Sequence, residues 1–398
     1  HRAKGGKVYP QGVGWTGGLG GVQAEGRTLR ETLLLNLIPT QEDILDSTAG
    51  READLPVWRR ESPPGPGVLD ADLSIPRPAG PRDLYTWQSR RLLLHTEGSD
   101  VTGVVLGYGD PLTPANRWKS EPMTGWRRSR TQEKKLGRPL VYLPRQHDPN
   151  RAAWRGLASL LYAQGSDTET SGRGTDESKP SGVVRWLSML SNEGVLPEKS
   201  LVRTRLVGAV YGTQQSVVDE VVDDGVTLPV VLLHEHRPLH GAAAVGAVAD
   251  AERAVSALGH LAGNLARAAG SPAGPATNTA RDLGFGALDG PYRRWLVDLG
   301  QAADPDAARA AWQAEARRMV LGLGRELLDG TGRAAAEGRV VELPGIGKRW
   351  IDSSRADLWF RTRINKVLPK PPRPPLPYQQ PGPSASPQPD DNPPGRGS

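Results

Sequence analysis

Residues 248–265 of the chain read VADAERAVSALGHLAGNL, and this stretch decides the fold of the second half of the protein. Apolar residues recur in it at heptad intervals in two interleaved series: Val248, Val255 and Ala262, and Ala251, Leu258 and Leu265. This spacing places the apolar side chains along one seam of a single helix. The stretch therefore predicts a long helix whose seam faces a core.

Two further helices are predicted after this stretch. The first spans roughly residues 291–300. The second is N-capped by Asp304, has Pro305 at its first position and ends before Gly330. Asp accepts hydrogen bonds from the free N–H groups of a first helical turn, and Pro fits that turn because it has no N–H to lose.

A fourth helix is predicted to be capped by Ser353 or Ser354 and to continue through Trp359, Ile364 and Val367. Four helices joined by mostly short connections pack most economically as a bundle. The sequence therefore predicts a four-helix bundle over residues 237–368.

The first part of the chain, residues 1–236, carries mixed signals and predicts a mixed α/β domain. Helices are expected from Thr28 to Pro39, from about Asn150 and around Trp186, with Thr28 and Glu31 at capping-box spacing. Strands are expected in the β-branched and aromatic segments 83–98, 101–112, 140–144 and 201–212, the last breaking at Gly212. The predicted fold class is therefore α+β.

Two segments have the composition of linkers. Residues 165–182 (GSDTETSGRGTDESKPSG) are polar, and residues 369–398 contain about a dozen prolines, including PPRPPLP. The first predicts a mobile linker and the second a disordered or polyproline II tail. Polyproline segments bind aromatic-lined grooves of other proteins. A protein-interaction scaffold that uses the bundle and this tail is therefore the alternative function.

Composition excludes several classes of protein. The absence of Cys excludes disulfides, thiolate nucleophiles and Cys-ligated metals, and it is typical of a cytoplasmic protein. No apolar run is long enough for a membrane span, and no signal peptide is present. The chain starts HRAKGG without Met, so we expect it to begin inside a longer protein. A net charge of +6 is compatible with a nucleic-acid partner.

Catalytic and metal sites are not favoured by the spacing of the titratable residues. His234, His236 and His240 lie in HEHRPLH, which lacks the HExxH order, and Pro238 stands between them. No GxSxG or SxxK motif supplies a nucleophile. A hydrolase built on His234, His236 and Asp223 would show metal dependence or lose turnover when these residues are mutated. The carboxylates at 219–220 and 223–224 are more typical of a solvated strand edge or helix end than of an acid/base pair. We predict no enzyme activity and no cofactor.

Two segments have the composition of a nucleic-acid surface. Residues 117–138 combine many Lys and Arg with Trp118 and Trp126, which offers phosphate-directed charge beside flat aromatic rings. Alternatively, these charged residues only keep one face of the protein in contact with water and bind no ligand. The turn Tyr211–Ser216 (YGTQQS) holds two adjacent Gln amides that can donate to and accept from base edges. A polar hairpin turn is the alternative there.

Three blocks carry a family resemblance. They are residues 14–39 (GWTGGLGGVQAEGRTLRETLLLNLIP), residues 55–60 with 80–95 and 101–110 (LPVWRR, GPRDLYTWQSRRLLLH, VTGVVLGYGD), and residues 121–129 with 134–161 (EPMTGWRRS, KKLGRPLVYLPRQHDPNRAAWRGLASLL). Together they resemble the CasA family, the large subunit of the type I-E CRISPR surveillance complex Cascade. The match covers most of residues 1–235, and the helical region after it corresponds to the C-terminal bundle of that family.

The resemblance implies a recognition subunit without catalytic activity. It implies that the protein helps a crRNA-bound complex to find the protospacer-adjacent motif (PAM) in double-stranded DNA and starts strand separation with an inserted glutamine. It also implies docking of a helicase-nuclease in antiviral defence. Sequence matching is left to the guide RNA in such systems. The implied partners are the other Cascade subunits, crRNA, target duplex and the helicase-nuclease.

The resemblance also implies roles for individual residues. The glutamine wedge is Gln214 or Gln215, with Gly212 and Thr213 as neighbours facing the motif. The family's glycine loop is matched by Gly5 and Gly6, and its PAM-reading lysine by Lys119. Contacts to DNA are further expected from Arg127, Arg128 and Arg130. Some members carry cysteine pairs suited to zinc, and this chain has none.

Two expectations concern assembly. Family members normally begin with an N-terminal region that contacts the crRNA-bearing backbone, and we expect this chain to start after it, so that incorporation into Cascade needs the longer protein. An outer face of the bundle is expected to be lined by free arginines that could contact the displaced DNA strand: Arg253, Arg267, Arg293, Arg294, Arg317 and Arg318.

Overall fold

The structure of the protein, a computed structural model, describes residues 18–40, 44–45, 52–59, 78–88, 90–108, 112, 114–161, 178–212, 217–343 and 347–370. Its strands are β1 (Gly20–Glu25), β2 (Arg90–Glu97), β3 (Asp100–Tyr108), β4 (Trp126–Arg128), β5 (Tyr142–Pro144), β6 (Ser178–Lys179), β7 (Leu201–Tyr211), β8 (Val218–Pro229), β9 (Arg339–Leu343) and β10 (Gly347–Ile351). Its α-helices are α1 (Leu29–Leu35), α2 (Pro81–Tyr85), α3 (Arg130–Leu136), α4 (Gly182–Asn192), α5 (Pro238–Ala269), α6 (Ala273–Leu299), α7 (Pro305–Asp329), α8 (Arg333–Glu337) and α9 (Ser353–Val367). The predicted α+β class with a helical C-terminal region is confirmed.

The described strands form small antiparallel sheets. Two of these sheets have three strands, in the orders β1-β7-β8 and β5-β4-β6, and β2-β3 and β9-β10 are two-stranded hairpins. Because β1 and β7 are far apart in sequence, the first sheet joins the start of the described chain to the long hairpin β7–β8.

Helix α5 is the centre of the bundle and packs against α6, α7 and α9. All six residues of its predicted seam, from Val248 to Leu265, are buried. The prediction for α7 is also confirmed, since the Asp304 carboxylate accepts hydrogen bonds from the N–H groups of Asp306 and Ala307. Trp312 of α7 is fully buried and reaches the core between these helices.

The prediction for the second bundle helix was wrong. Helix α6 begins at Ala273, well before Pro291, which lies inside it. Gly and Pro lower helix propensity, but tertiary packing overrides this weak preference. Gly284 shows the reason, because a Cβ there would lie only 3.1 Å from the methyl groups of Val255 on α5. Gly284 therefore lets α6 approach α5 closely at this point.

The fourth bundle helix differs from prediction at its start and at its surface. Asp352 is the N-cap in place of Ser353 or Ser354, and its carboxylate accepts from the Arg355 N–H. Ala356, Phe360 and Ile364 form the buried face, whereas Trp359 remains 36% exposed. Helix α8 and the hairpin β9–β10 precede it and had no sequence prediction.

Two predictions in the α/β part were also wrong in their boundaries. Residues 83–85 of the predicted strand lie in helix α2 (Pro81–Tyr85), and the strand begins at Arg90. The helix expected from Asn150 is a 3-10 helix over Ala153–Ser159. Proline at the first position of α2 and the Asp54 carboxylate, which accepts from the Asp83 N–H, favour the helical turn.

One hydrophobic cluster runs through both parts of the protein. Its buried members include Val22, Trp154, Leu187, Val226, Leu258, Trp312 and Phe360. The division at residues 236 and 237 stays a prediction. The predicted linker falls mainly, and the proline-rich tail almost entirely, outside the described residues. Among the helices that the structure describes, none has both the length and the apolar character needed to span a bilayer.

Candidate nucleic-acid interface

The hairpin β7–β8 carries the predicted wedge turn at its tip. The structure describes Gly212 and Val217 at the two ends of this turn, and the Gly212 N–H donates to the Val217 carbonyl at 3.0 Å. A Cβ at Gly212 would overlap the Asp219 carboxylate, so glycine allows the two strands to close here. Thr213, Gln214 and Gln215 lie outside the described residues, as do Gly5 and Gly6.

The outer half of this hairpin projects into solvent. Val217, Val218 and Val221 are 62%, 44% and 65% exposed. Further down, Arg205 on β7 donates to both oxygens of Asp223 on β8, at 2.7 and 2.5 Å, and reaches Glu25 on β1 at 3.4 Å. The Arg205 hydrogen bonds lower the pKa of the Asp223 carboxyl. The Asp223 carboxylate therefore joins β8 to β7 through Arg205.

The β1-β7-β8 sheet touches the basic β5-β4-β6 sheet beside the hairpin. The Val22 N–H donates to the Met123 carbonyl at 2.6 Å, and the Thr124 hydroxyl donates to the Gly20 carbonyl at 2.9 Å. His147 Nε2 lies 2.9 Å from the Gly21 carbonyl, and burial lowers the pKa of this imidazole. Gly20 is in register with Gly208, near the outer half of β7. The two candidate surfaces are thus joined.

Cations from three separate segments surround Trp118 beside the β5-β4-β6 sheet. Lys119, Lys179 and Arg185 lie 5.3, 5.0 and 5.8 Å from the centre of the Trp118 ring. Lys179 also lies 4.8 Å from the centre of the Tyr142 ring. Cations at these distances are attracted to aromatic faces. The result is a half-buried aromatic platform with positive charge around it.

Strand β4 contributes one side chain to the core and another to this surface. Trp126 is buried, and Arg127, which is in register with Ser178 of β6, is exposed. Arg128 instead donates from Nε to Glu133 at 2.7 Å, and this hydrogen bond lowers the pKa of the Glu133 carboxyl. Arg130 is exposed at the start of α3. Arg127 and Arg130 are therefore available to a ligand, whereas Arg128 closes the turn around α3.

Lys179 and Arg185 had no sequence prediction. They are distant in sequence from Trp118, and they reach it because β6 pairs with β4 and α4 follows β6 directly. Ser181 caps α4 by accepting from the Val184 N–H, which orients the helix that carries Arg185. The capping serine was visible in the sequence, but the strand pairing that brings Lys179 to Trp118 was not.

The expected row of free arginines on the bundle is wrong for most of its members. Each of the following has a partner in the structure: Arg253 with Asp250, Arg267 with Asn264, Arg293 with Asp224 and Asp289, Arg317 with Asn365, and Arg318 with Glu315. The physical reason is that acceptors stand one helical turn away or on the neighbouring element. Arg294 is exposed.

The histidines of HEHRPLH point to different partners. His234 Nδ1 accepts from the His236 N–H at 3.2 Å, and His234 Nε2 lies 3.8 Å from Glu198. His240 Nε2 lies 3.1 Å from the Ala302 carbonyl. Among the described residues, no three His, Asp or Glu side chains gather in an arrangement that could hold a metal ion.

The family model of CRISPR-associated protein Cse1 matches residues 2–323 of this chain. The chain belongs to the Cse1 family. One solved structure carries both names, CasA and Cse1, so the resemblance to the CasA family is confirmed. No curated protein matches the chain closely enough to add a further comparison.

Solved Cse1 structures agree with this fold. Cse1 from Thermobifida fusca is 48% identical, with a TM-score of 0.73, and the match covers 92% of this chain and 66% of that one. Cse1 from Acidimicrobium ferrooxidans is 28% identical, with a TM-score of 0.61, and the match covers 88% of this chain and 63% of that one. Thermus thermophilus CasA is 22% identical, with a TM-score of 0.51 and coverages of 88% and 64%, and it shows the fold alone. The chain thus spans about two thirds of the length of these Cse1 proteins.

Proposed function

We propose that this chain is the DNA-recognising part of the large subunit of a type I-E Cascade complex. In this role it reads the PAM in double-stranded DNA and starts strand separation with the tip of the β7–β8 hairpin. It then docks the helicase-nuclease that degrades the target. The observation that supports the proposal is the junction at Gly20 and Thr124, which sets the hairpin beside the basic, aromatic-rich surface around Trp118.

The basic surface around Trp118 suits binding of the duplex, and the tip of the β7–β8 hairpin suits separation of its strands. Lys119, Arg127 and Arg130, with Lys179 and Arg185, provide charge for phosphate groups, which position a protein on a duplex. A polar turn on a projecting hairpin can enter a groove and separate one base step, at a cost of a few kcal/mol. Pairing of the target strand with the guide RNA then offsets that cost. The wedge is Gln214 or Gln215.

The proposed role needs no reacting group in this chain. Recognition and wedging change only non-covalent contacts, and the docked helicase-nuclease supplies the chemistry of degradation. The partners in this proposal are the other Cascade subunits, crRNA, target duplex and the helicase-nuclease. We propose that the protein acts in the cytoplasm without a cofactor.

The test is R-loop formation by a crRNA-loaded complex assembled with the full-length protein. Gln214→Ala and Gln215→Ala are compared with Gln301→Ala, an exposed glutamine beyond the end of α6. We expect one hairpin variant to slow opening at least tenfold on the correct PAM while duplex docking persists and the control opens normally. Equal opening by all variants, or equal opening on scrambled motifs, would contradict the proposal.

A deletion distinguishes this proposal from the alternative, a protein-interaction scaffold that uses the bundle and the polyproline tail. Removing residues 369–398 should leave PAM-dependent opening unchanged if recognition is the function. Loss of complex assembly on this deletion, with normal DNA binding by the remaining chain, would favour the scaffold.

A further inference from the structure

The outer half of the β7–β8 hairpin carries negative charge and no positive charge. The sequence has neither Lys nor Arg between Arg205 and Arg237, a span that includes the whole of β8 and the outer part of β7. Four carboxylates lie on β8 within this span: Asp219, Glu220, Asp223 and Asp224. Elements that hold a duplex by its phosphates use Lys and Arg. The hairpin is therefore unsuited to attract the DNA backbone by itself.

The unbalanced part of this charge lies beside the tip. The inner two carboxylates, Asp223 and Asp224, are paired with arginines. The outer two, Asp219 and Glu220, are exposed, and within the described residues neither side chain has a hydrogen bond or an ion pair. Any phosphate that approaches the tip therefore meets two carboxylates without counter-charges.

A β-bulge brings one of these carboxylates to the wedge turn. The register of the hairpin shifts between Val210 and Tyr211, which leaves Asp219 without a partner on β7. A bulge of this kind re-aims a side chain. The Asp219 carboxylate lies against Gly212, because a Cβ on that glycine would overlap it. A negative charge thus lies at the base of the turn YGTQQS.

The other exposed side chains around the outer carboxylates are apolar. Val217, Val218 and Val221 are each more than 40% exposed. Apolar side chains can contact bases and sugars, but they offer nothing to a phosphate group. Attraction of the backbone is left to the basic surface around Trp118, which is joined to the hairpin sheet through the Thr124 hydroxyl.

We propose that Asp219 and Glu220 set the specificity of strand separation by repelling DNA phosphates from the tip of the hairpin. The inference rests on the proposed role of this hairpin in opening the duplex. The two carboxylates disfavour DNA that stays closed, which is a different route to specificity from stronger binding of the correct target.

The repulsion acts on a closed duplex and is relieved by opening. Two rows of phosphates border each groove of an intact duplex, about 6 Å apart in the minor groove and about 12 Å apart in the major groove. A hairpin tip that enters either groove comes close to both rows. Strand separation moves the rows apart. The carboxylates therefore weaken docking on closed DNA and cost little once the strands have separated.

The test measures the affinity of the crRNA-loaded complex, assembled with the full-length protein, for a correct target and for a duplex with a scrambled PAM that stays closed. The double variant Asp219→Asn/Glu220→Gln should bind the scrambled duplex roughly fivefold more tightly at low salt, the effect of two unit charges about 4 Å apart in water. Its affinity for the opened correct target should stay unchanged. The ratio of the two affinities should therefore fall roughly fivefold.

Two controls separate charge from structure. Glu97→Gln/Glu193→Gln removes two exposed carboxylates that have no ion pair within the described part of the chain, and it should keep the affinity ratio. Glu220→Asp retains the charge and should also keep the ratio, whereas Glu220→Gln should give part of the loss. The gain on scrambled DNA should disappear near 1 M salt, where the Debye length is about 3 Å.

An unchanged ratio in the double variant at low salt, with an unchanged circular dichroism spectrum, would overturn the inference. So would a gain that persists near 1 M salt or that Glu220→Asp reproduces, because neither result is electrostatic. The variants Gln214→Ala and Gln215→Ala test opening itself. If they impair opening while the double variant keeps the ratio, only this inference fails, and if they leave opening unchanged, the proposed function fails.

Discussion

Arg293 on α6 forms an ion pair with Asp224 on β8, and Arg293 Nη2 lies 3.2 Å from both carboxylate oxygens. Arg293 also donates to the Gly225 carbonyl and to Asp289, the latter at 2.9 Å. Asp224 in turn accepts from the Ala153 N–H at 2.6 Å, and Asp289 accepts from the Trp154 indole at 2.8 Å. This network ties the β7–β8 hairpin to the bundle part-way along β8. The direction in which the hairpin projects therefore depends on the bundle.

Arg293→Gln should speed local opening of the β7–β8 hairpin and lower the stability of the whole protein only modestly. We expect a loss of about 1–2 kcal/mol in the free energy of unfolding, because the ion pair is only partly shielded from water. Amide exchange in β8 should become faster at the same time. Urea unfolding and hydrogen exchange measure the two effects. The neighbouring exposed Arg294→Gln is the matched control, and equal exchange in both variants would contradict the role of the network.

Trp312→Ala should be among the most destabilising substitutions in the bundle. Trp312 is fully buried, contacts Tyr292 and Trp295 with ring centres 5.3 and 5.7 Å apart, and donates from its indole to the Ala247 carbonyl. We expect a loss of about 3–5 kcal/mol, because a large cavity and an unpaired carbonyl remain. Trp350→Ala, at a 48% exposed tryptophan, is the control and should cost little. Similar midpoints for both variants in chemical denaturation would refute the prediction.

The protein should lose stability in mild acid through His147. Burial lowers the pKa of this imidazole in the folded state, so the unfolded chain binds the proton more readily. The contribution to stability is therefore complete above the unfolded pKa of about 6.5 and is lost as the pH falls towards the lower folded value. Unfolding curves between pH 7.5 and pH 5 measure this loss. His147→Gln should make the free energy of unfolding depend less steeply on pH. An equally steep dependence in the variant would show that other groups cause the loss.

Lys179→Gln and Arg185→Gln should weaken duplex binding equally on all sequences. Both side chains lie over Trp118. For each duplex phosphate that is no longer neutralised, the slope of log affinity against log salt concentration should become less steep by about 0.9. Lys348→Gln, at an exposed lysine of β10, is the matched control. Salt titrations of anisotropy on correct and scrambled PAMs measure the effect. Weaker binding confined to the correct PAM would show that these residues read bases and not the backbone.

Local signals predicted some elements well and failed for others. The seam of α5 and the start of α7 were predicted correctly, because heptad spacing and an Asp-Pro start act within a few residues. Helix α6 was mispredicted because its glycines lower local propensity, and contact with Val255 explains the presence of one of them, Gly284. The strands β4 and β6 are too short for a local pattern, yet they assemble the surface around Trp118.

The sequence by itself determined the α+β class, the central bundle helix and the family resemblance, because these depend on residue spacing and on long specific blocks. It also showed that residues 117–138 combine many Lys and Arg with Trp118 and Trp126. Only the tertiary structure brought Lys179 and Arg185 to Trp118 and joined the two sheets at Gly20 and Thr124. These contacts join residues far apart in the chain, and no local pattern encodes which distant elements will pack together.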